Sequence, residues 1–275
     1  MKFYQKWISA LRESLSPLRY ERSLARKALE GKWVERARFG ECLSDEERLE
    51  MLTIFIGQVP EFSRAEFLRE VGFSRSQLMQ DLFVLSELGA CRGSGFFVEF
   101  GAAVGVALSN SWMLEKRFGW RGILAEPAHC WHEALAKNRS CTIATECVWS
   151  KSGERLDFDE VSDAELSTLS DFSQSDSHAC IRSEKKQYQV STISLNDLLE
   201  RYGAPANPDY LSIDTEGSEF AILEKFDFAR YPFKVITCEH NFTPMRDKIR
   251  HLLESVGYQR KHERLSRFDD WYVRQ

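Results

Sequence analysis

The densest chemistry in this sequence lies in Asp209-Tyr210-Leu211-Ser212-Ile213-Asp214-Thr215-Glu216-Gly217-Ser218-Glu219, where an apolar run ends in two carboxylates. Open α/β sheets hold their ligands at the C-terminal ends of strands, so Asp214 and Glu216 are candidate functional groups. Such a pair can serve as base and orienting group, or bind a hard divalent cation through oxygen. Glu219 follows at a helix start, where a negative charge complements the helix N-terminus without any catalytic duty. A second run, Cys238-Glu239-His240-Asn241, ends another apolar segment and adds an acid, Glu239, and a histidine, His240, able to move a proton. Cys238 reads as a buried, inert thiol.

A third group, Phe96-Phe97-Val98-Glu99-Phe100-Gly101-Ala102-Ala103-Val104-Gly105, is a strand entering a glycine turn before a helix. Small residues and free N–H groups there let a nucleotide-like ligand approach the backbone. The pattern is E-x-G-x-x-x-G, with neither G-x-G-x-x-G nor G-K-[ST], which favours a ligand without phosphates and offers Glu99 to a cationic or donating group. About 20 residues on, Ile123-Leu124-Ala125-Glu126-Pro127 puts Glu126 where doubly wound folds grip ribose hydroxyls.

The elements that must position these groups alternate from Gly95 onward. Strands are expected over residues 96–100, 122–126, 142–148, 210–214, 234–239 and 271–273, and helices over 106–117, 129–138, 195–201, 219–226 and 245–256. This is the signature of an α/β domain with a largely parallel sheet. Before it, Ser44-Asp45-Glu46-Glu47 forms a capping box ahead of a helical pattern, and a further helix is expected over 77–85, ending near Gly89. Phe3, Trp7, Leu11, Leu15 and Leu18 recur at helical spacing in a segment whose first 40 residues hold ten basic and four acidic side chains. The division expected is a helical N-terminal extension over 1–88 and an α/β domain over 89–275. The Ser-rich stretch 162–186 has no clear period and reads as a lid or binding loop, with His178 a candidate within it.

The 275 residues, 43% hydrophobic and 29% charged, describe a globular chain rather than a disordered or disulfide-dense one. A net charge of −5 argues against a surface built to grip nucleic acid. Seven cysteines without a C-x-x-C pair suggest reduced thiols, and no apolar run reaches transmembrane length, so a cytoplasmic chain is expected.

Together the segments FFVEFGAAVGVALSNSWMLEK, GWRGILAEP, STISLNDLL, DYLSIDTEGSEFAIL, ITCEHNFTPMR and FDDWYV resemble the FkbM family of S-adenosylmethionine-dependent methyltransferases, over residues 77–273. The resemblance implies a Rossmann-like class I methyltransferase domain with a seven-stranded sheet and an antiparallel last strand. It implies O-methylation of a hydroxyl on a sugar, glycan or natural-product acceptor. Glu99, Gly101, Ala102 and Gly105 would line the methionine portion of the cofactor, Ser109 and Asn110 would approach its carboxylate, and Glu126 with Pro127 would bind its ribose. Asp214, Glu216 and Glu219 match a D-x-E-G-x-E signature facing the acceptor, followed by Glu239, His240 and Asn241. Val104 departs from the polar residue expected before the second glycine.

A sugar hydroxyl is a very weak acid, so its proton must leave as the methyl group arrives. Asp214 or His240 is the expected base, with Glu216 and Glu239 orienting it or, with Asp214, binding a divalent cation such as magnesium. A cofactor-fold binding module without turnover and a nicotinamide-dependent oxidoreductase are the alternatives. The second would call for the missing G-x-G-x-x-G. Nucleic acid is not expected as acceptor, since no basic track follows the first 40 residues and no N-P-P-[YFW]-like motif is present. The N-terminal helices are expected to cap the site or join two copies in a homo-oligomer, because their apolar stripes need a burial partner.

Overall fold

The computed structural model describes residues 17–30, 43–89, 93–161, 167–170 and 185–275. Phe3, Trp7, Leu11 and Leu15 of the expected N-terminal helix, residues 162–166 and 171–184 of the proposed lid, and His178 lie outside these residues. Two compact units emerge, one from the described residues up to Ser94 together with Ala107–Gly119, the other from Gly95–Val106 and Trp120–Gln275. The sequence reading has one boundary at 88/89. In the structure, residues 107–119 instead join the helical unit, where Leu108 bridges Ser76 and the Arg117 guanidinium pairs with Glu70 at 2.7 Å.

The helical unit comprises α1 (Pro17–Glu30), α2 (Asp45–Gln58), α3 (Glu61–Glu70), α4 (Gln80–Glu87) and α5 (Trp112–Phe118). The expected capping box is present: the Ser44 hydroxyl accepts from the Glu47 N–H, and the Glu47 carboxylate accepts from the Ser44 N–H. Leu24, Leu52, Phe55, Phe67 and Phe83 are buried in this unit. The helix expected to begin at residue 106 begins at Trp112. Leu108 adopts φ 58°, and the Ser109 hydroxyl accepts from the Trp112 N–H at 3.1 Å, so the chain turns first and winds afterwards.

The second unit is a Rossmann-like α/β fold built on a seven-stranded sheet. Its strands are β1 (Phe96–Phe100), β2 (Arg121–Ala125), β3 (Thr142–Ala144), β8 (Tyr210–Ile213), β9 (Val235–Glu239), β10 (Tyr258–Lys261) and β11 (Asp269–Arg274), in the order β10-β11-β9-β8-β1-β2-β3. Pairing from β3 through β9 is parallel, and the last strand, β11, runs antiparallel between β9 and β10. Parallel strands need crossovers, and here they include α6 (His132–Asn138), α7 (Leu195–Arg201) and α8 (Glu219–Glu224), while α9 (Met245–Ser255) precedes the edge strand. Leu198, Ile222, Leu223, Ile249 and Leu253 from α7, α8 and α9 pack with Val98, Ile123, Leu211 and Ile236 of the sheet in one apolar core.

A four-stranded sheet in the same unit has β4 (Cys147–Trp149), β5 (Arg155–Val161), β6 (Thr168–Leu169) and β7 (Lys185–Ser194) in the order β4-β7-β5-β6. The strand expected over 142–148 therefore divides, its first half in the large sheet and its second in the small one. β5 and β7 escape the sequence reading because charges interrupt their alternation. Buried Asp159 in β5 is satisfied by Lys185, by Ser170 at 2.7 Å and by Gln187 at 3.1 Å. β10 shows too little apolar pattern to be seen, as befits an edge strand.

Asp209 ties the opposite ends of these strands. Its carboxylate accepts from the Phe96 N–H at 2.8 Å and pairs with Lys234 at 2.6 Å, joining the starts of β1, β8 and β9. Asp209→Ala should cost about 1.5–3 kcal/mol in urea unfolding, the range for a hydrogen bond to a charged group, while leaving ligand binding at the far edge unchanged.

Candidate functional site

The C-terminal ends of β2, β1, β8 and β9 form the candidate site. β1 supplies Glu99 and then turns at Gly101, whose N–H donates to the Ala125 carbonyl at 3.2 Å. Gly101 has φ 71°, and a Cβ there would stand 2.2 Å from the Asp214 carbonyl oxygen. Only glycine allows the turn after β1 to press on the end of β8 this closely. Ala102 is buried, and its carbonyl accepts from the Gly105 N–H at 2.7 Å, closing the loop. Gly105, at φ 71°, lies against Leu135 and Arg139, where a Cβ would meet them at 2.5 and 2.8 Å. Asn138 donates to the Val104 carbonyl at 2.8 Å, so Val104 joins the scaffold through its backbone.

Arg139, invisible as a site residue in the sequence, has a fully buried side chain. It donates to the Gly105 carbonyl at 3.1 Å, lies 3.9 Å from the Glu99 carboxylate and rests over the Phe97 ring. Thus this cation is committed to the scaffold, and it directs part of its charge toward Glu99. Ser109 and Asn110 belong to the helical unit.

Glu126 follows β2 and is buried. Its carboxylate accepts from the Ala103 N–H at 2.8 Å and the Ala128 N–H at 2.8 Å, tying the glycine turn to the segment after Pro127. Burial pushes its pKa up to about 7, helped by the negative charges of Asp214 and Glu160 and opposed by the two N–H donors. The next residues are also fixed: His132 Nε2 lies 2.8 Å from the Glu126 carbonyl, and His129 stacks on Tyr188 at 4.1 Å. The Tyr188 hydroxyl donates to Glu160 at 2.8 Å.

Beyond β8 and β9, Asp214, Glu216 and Glu239 each bring a carboxylate oxygen within 4.8 Å of the other two. Register explains the meeting: Ile213 pairs with Cys238, so the next residues, Asp214 and Glu239, emerge side by side. Burial pushes Glu239 well above the ordinary carboxylate range, reinforced by the charges of Asp214 and Glu216 and by a hydrogen bond with Asp214. Asn241 donates to Glu239 at 2.9 Å and reaches Glu216 at 3.5 Å. Glu216 takes φ 57°, a conformation costing about 1–3 kcal/mol in a residue with a long side chain. The strain is held by Thr168, whose hydroxyl donates to the Glu216 carbonyl at 3.1 Å. No pattern in its aperiodic segment marks Thr168 as part of the site.

Glu219 builds the loop. One of its oxygens accepts from the Thr215 N–H at 3.0 Å, the Thr215 hydroxyl at 2.9 Å and the Gly217 N–H at 2.9 Å. Burial raises its pKa despite these donors. Cys238 is buried and its thiol is pushed well above its ordinary value, first by burial.

His240 departs from the role of base. Its ring is buried, Nδ1 accepts from the Phe242 N–H at 3.0 Å, and Nε2 faces Asp270 at 3.8 Å. Burial lowers its pKa to about 4, outweighing the attraction of Asp270. Nδ1 is taken up by the Phe242 N–H, buried Nε2 finds no hydrogen-bond partner among the described residues, and the lowered pKa makes the ring a weak base. Asp270 itself is clamped by Arg246 at 2.8 and 3.0 Å.

The donor set fits a ligand that is cationic and rich in hydroxyl groups and lacks phosphate: the carboxylates of Glu99, Glu126, Asp214, Glu216 and Glu239, a tight glycine backbone and a cation already paired. A family model for the methyltransferase FkbM domain matches residues 99–260, more than half of the chain. No curated protein matches significantly. Among solved structures, similarity is found to methyltransferase FkbM from Methylobacillus flagellatus KT, at 14% identity and TM-score 0.47, over 91% of this chain and 60% of that one. A fibrillarin/Nop5p complex is similar at 10% identity and TM-score 0.36, over 72% of this chain and 84% of its own. At these TM-scores neither neighbour decides activity or acceptor.

A carboxyl raised in the folded state stabilises the fold most below its unfolded pKa, and that contribution is lost as pH rises through about 7. Glu126→Gln, which cannot ionise, should therefore gain up to roughly 3 kcal/mol relative to the parent between pH 4.5 and 7.5. Urea melts across that range would show parallel profiles if Glu126 had an ordinary pKa.

Proposed function

Because this chain belongs to the FkbM methyltransferase family, we propose that it is an S-adenosylmethionine-dependent methyltransferase acting on a hydroxyl group of a sugar, glycan or natural-product acceptor. The observation that carries this reading is the contact between the Gly101 turn and the Asp214 carbonyl. It sets a backbone suited to the cofactor directly against carboxylates suited to an acceptor.

When bound, the cofactor supplies an activated methyl group on a sulfonium. Glu126 would hold the ribose hydroxyls, since each carboxylate oxygen keeps a lone pair beyond its bond to an N–H. Glu99 and the loop Gly101, Ala102 and Gly105 would bound the methionine end, with Pro127 shaping the ribose side. The negative field of these groups favours the sulfonium's positive charge.

Asp214 takes the acceptor's proton in this reading. Glu239, hydrogen-bonded to Asp214, orients it, and Asn241 holds Glu239 in turn through the hydrogen bond to its carboxylate. Glu216 is held beside them by its strained backbone and adds hydrogen-bonding capacity toward the acceptor. Asp214, Glu216 and Glu239 also have the oxygen chemistry and spacing to hold a divalent cation such as magnesium, which would supply charge stabilisation for an alkoxide.

Isothermal titration should show micromolar binding of S-adenosylmethionine and S-adenosylhomocysteine but not NAD, lost in Glu126→Ala. Absence of both would sink the reading. Asp214→Asn should keep cofactor affinity and lose about 100-fold or more in methyl transfer, the usual scale of a general base. Repeating transfer with EDTA and with added magnesium separates proton-only from cation-assisted chemistry.

A further inference from the structure

Resting on that reading, we propose that Phe242 is the acceptor platform, stacking against the C–H face of a pyranose ring whose hydroxyl is offered to Asp214. Residues 240–243 form a tight turn, closed by the Thr243 N–H donating to the His240 carbonyl at 2.8 Å. Its two central residues, Asn241 and Phe242, have φ 43° and 56°. Asparagine tolerates this conformation, whereas an aromatic side chain is strained there and glycine would be relaxed. The strained residue is also 69% exposed, and among the described residues the only other exposed large hydrophobics are Phe62 and Val256. Folding accounts for neither property, because a buried ring could repay strain through packing and this ring does not.

The turn is built to hold that ring still. His240 Nδ1 accepts the Phe242 N–H at 3.0 Å, and the two rings meet edge to face at 5.3 Å. The His240 and Asn241 N–H groups both donate to the Phe268 carbonyl, at 2.9 and 3.2 Å. Through Asn241 the turn is registered to Glu239, so the ring's backbone is fixed relative to the carboxylates. The buried histidine thus acquires a positioning role in place of proton transfer.

The combination selects an acceptor class. A pyranose has hydroxyl groups around its rim, which donate to carboxylates, and C–H patches on its faces, which suit an aromatic surface. A phenol could stack as well, but its anion would be repelled by Asp214, Glu216 and Glu239. An open-chain polyol offers the hydroxyls without a face.

The test measures transfer from tritiated S-adenosylmethionine to methyl pyranosides of the gluco, manno, galacto and rhamno series, with sorbitol and catechol as comparisons. The parent enzyme should prefer at least one pyranoside over both. Phe242→Ala and Phe242→Gly should raise KM for it about tenfold with kcat within about threefold, the scale of one aromatic contact, and Phe242→Trp should restore KM. Phe242→Gly should melt at or above the parent's temperature, because the strain is relieved, which separates lost recognition from lost folding. An unchanged KM in the Ala and Gly variants, or a loss spread equally over kcat and cofactor affinity, overturns the platform. Cofactor binding without transfer to any pyranoside overturns the acceptor class alone, whereas no cofactor binding overturns the reading beneath it.

Discussion

Four parallel strands end in register, and that places carboxylates together at one edge of a sheet. Val98 pairs with Leu211, and Ile213 with Cys238, so whatever follows each strand shares a narrow strip. Glu126, Asp214 and Glu239 are those following or terminal residues. Like charges so close cannot all ionise freely, and the rest of the site is organised around this repulsion. Glu239 responds with a raised pKa, Glu126 by accepting two backbone N–H bonds, and Glu219 by capping its own loop.

The supporting groups lie outside the motifs. Arg139 neutralises part of the charge near Glu99 from a position at the end of α6, and Thr168 reaches the Glu216 carbonyl from a two-residue strand of the small sheet. Asp270 comes from β11, the antiparallel last strand, and faces His240 while gripped by Arg246. The loops after β8 and β9 are therefore braced from elements distant in sequence. Such bracing permits the left-handed backbone at Glu216, Asn241 and Phe242, which local propensity would not sustain.

His240 and Glu219 show why residue type alone misassigns roles. A histidine at a strand end has the right intrinsic pKa for proton transfer, yet burial and the Phe242 N–H on its Nδ1 convert it into a brace. Glu219 sits in the same acidic signature as Asp214 and Glu216, but its side chain turns back on Thr215 and Gly217. The difference is orientation, which a motif does not encode. Among the described residues no helix is long and apolar enough to cross a membrane.

By itself the sequence determined the parallel sheet, its order of elements and the acidic residues at strand ends. Short apolar runs alternating with helical stretches admit few other arrangements. Local chemistry also set the Ser44 cap and the span of α7, whose Ser194 accepts from the Asp197 N–H as the pattern indicates. Tertiary structure alone decided the small sheet, because β5 and β7 mix buried charge into their alternation and are recognisable only once Asp159 has found Lys185, Ser170 and Gln187. It alone decided which carboxyl has its pKa raised and which imidazole nitrogen is taken up, since both depend on the folded surroundings of each group. Electrostatic coupling acts through space, and spacing along a sequence does not specify it.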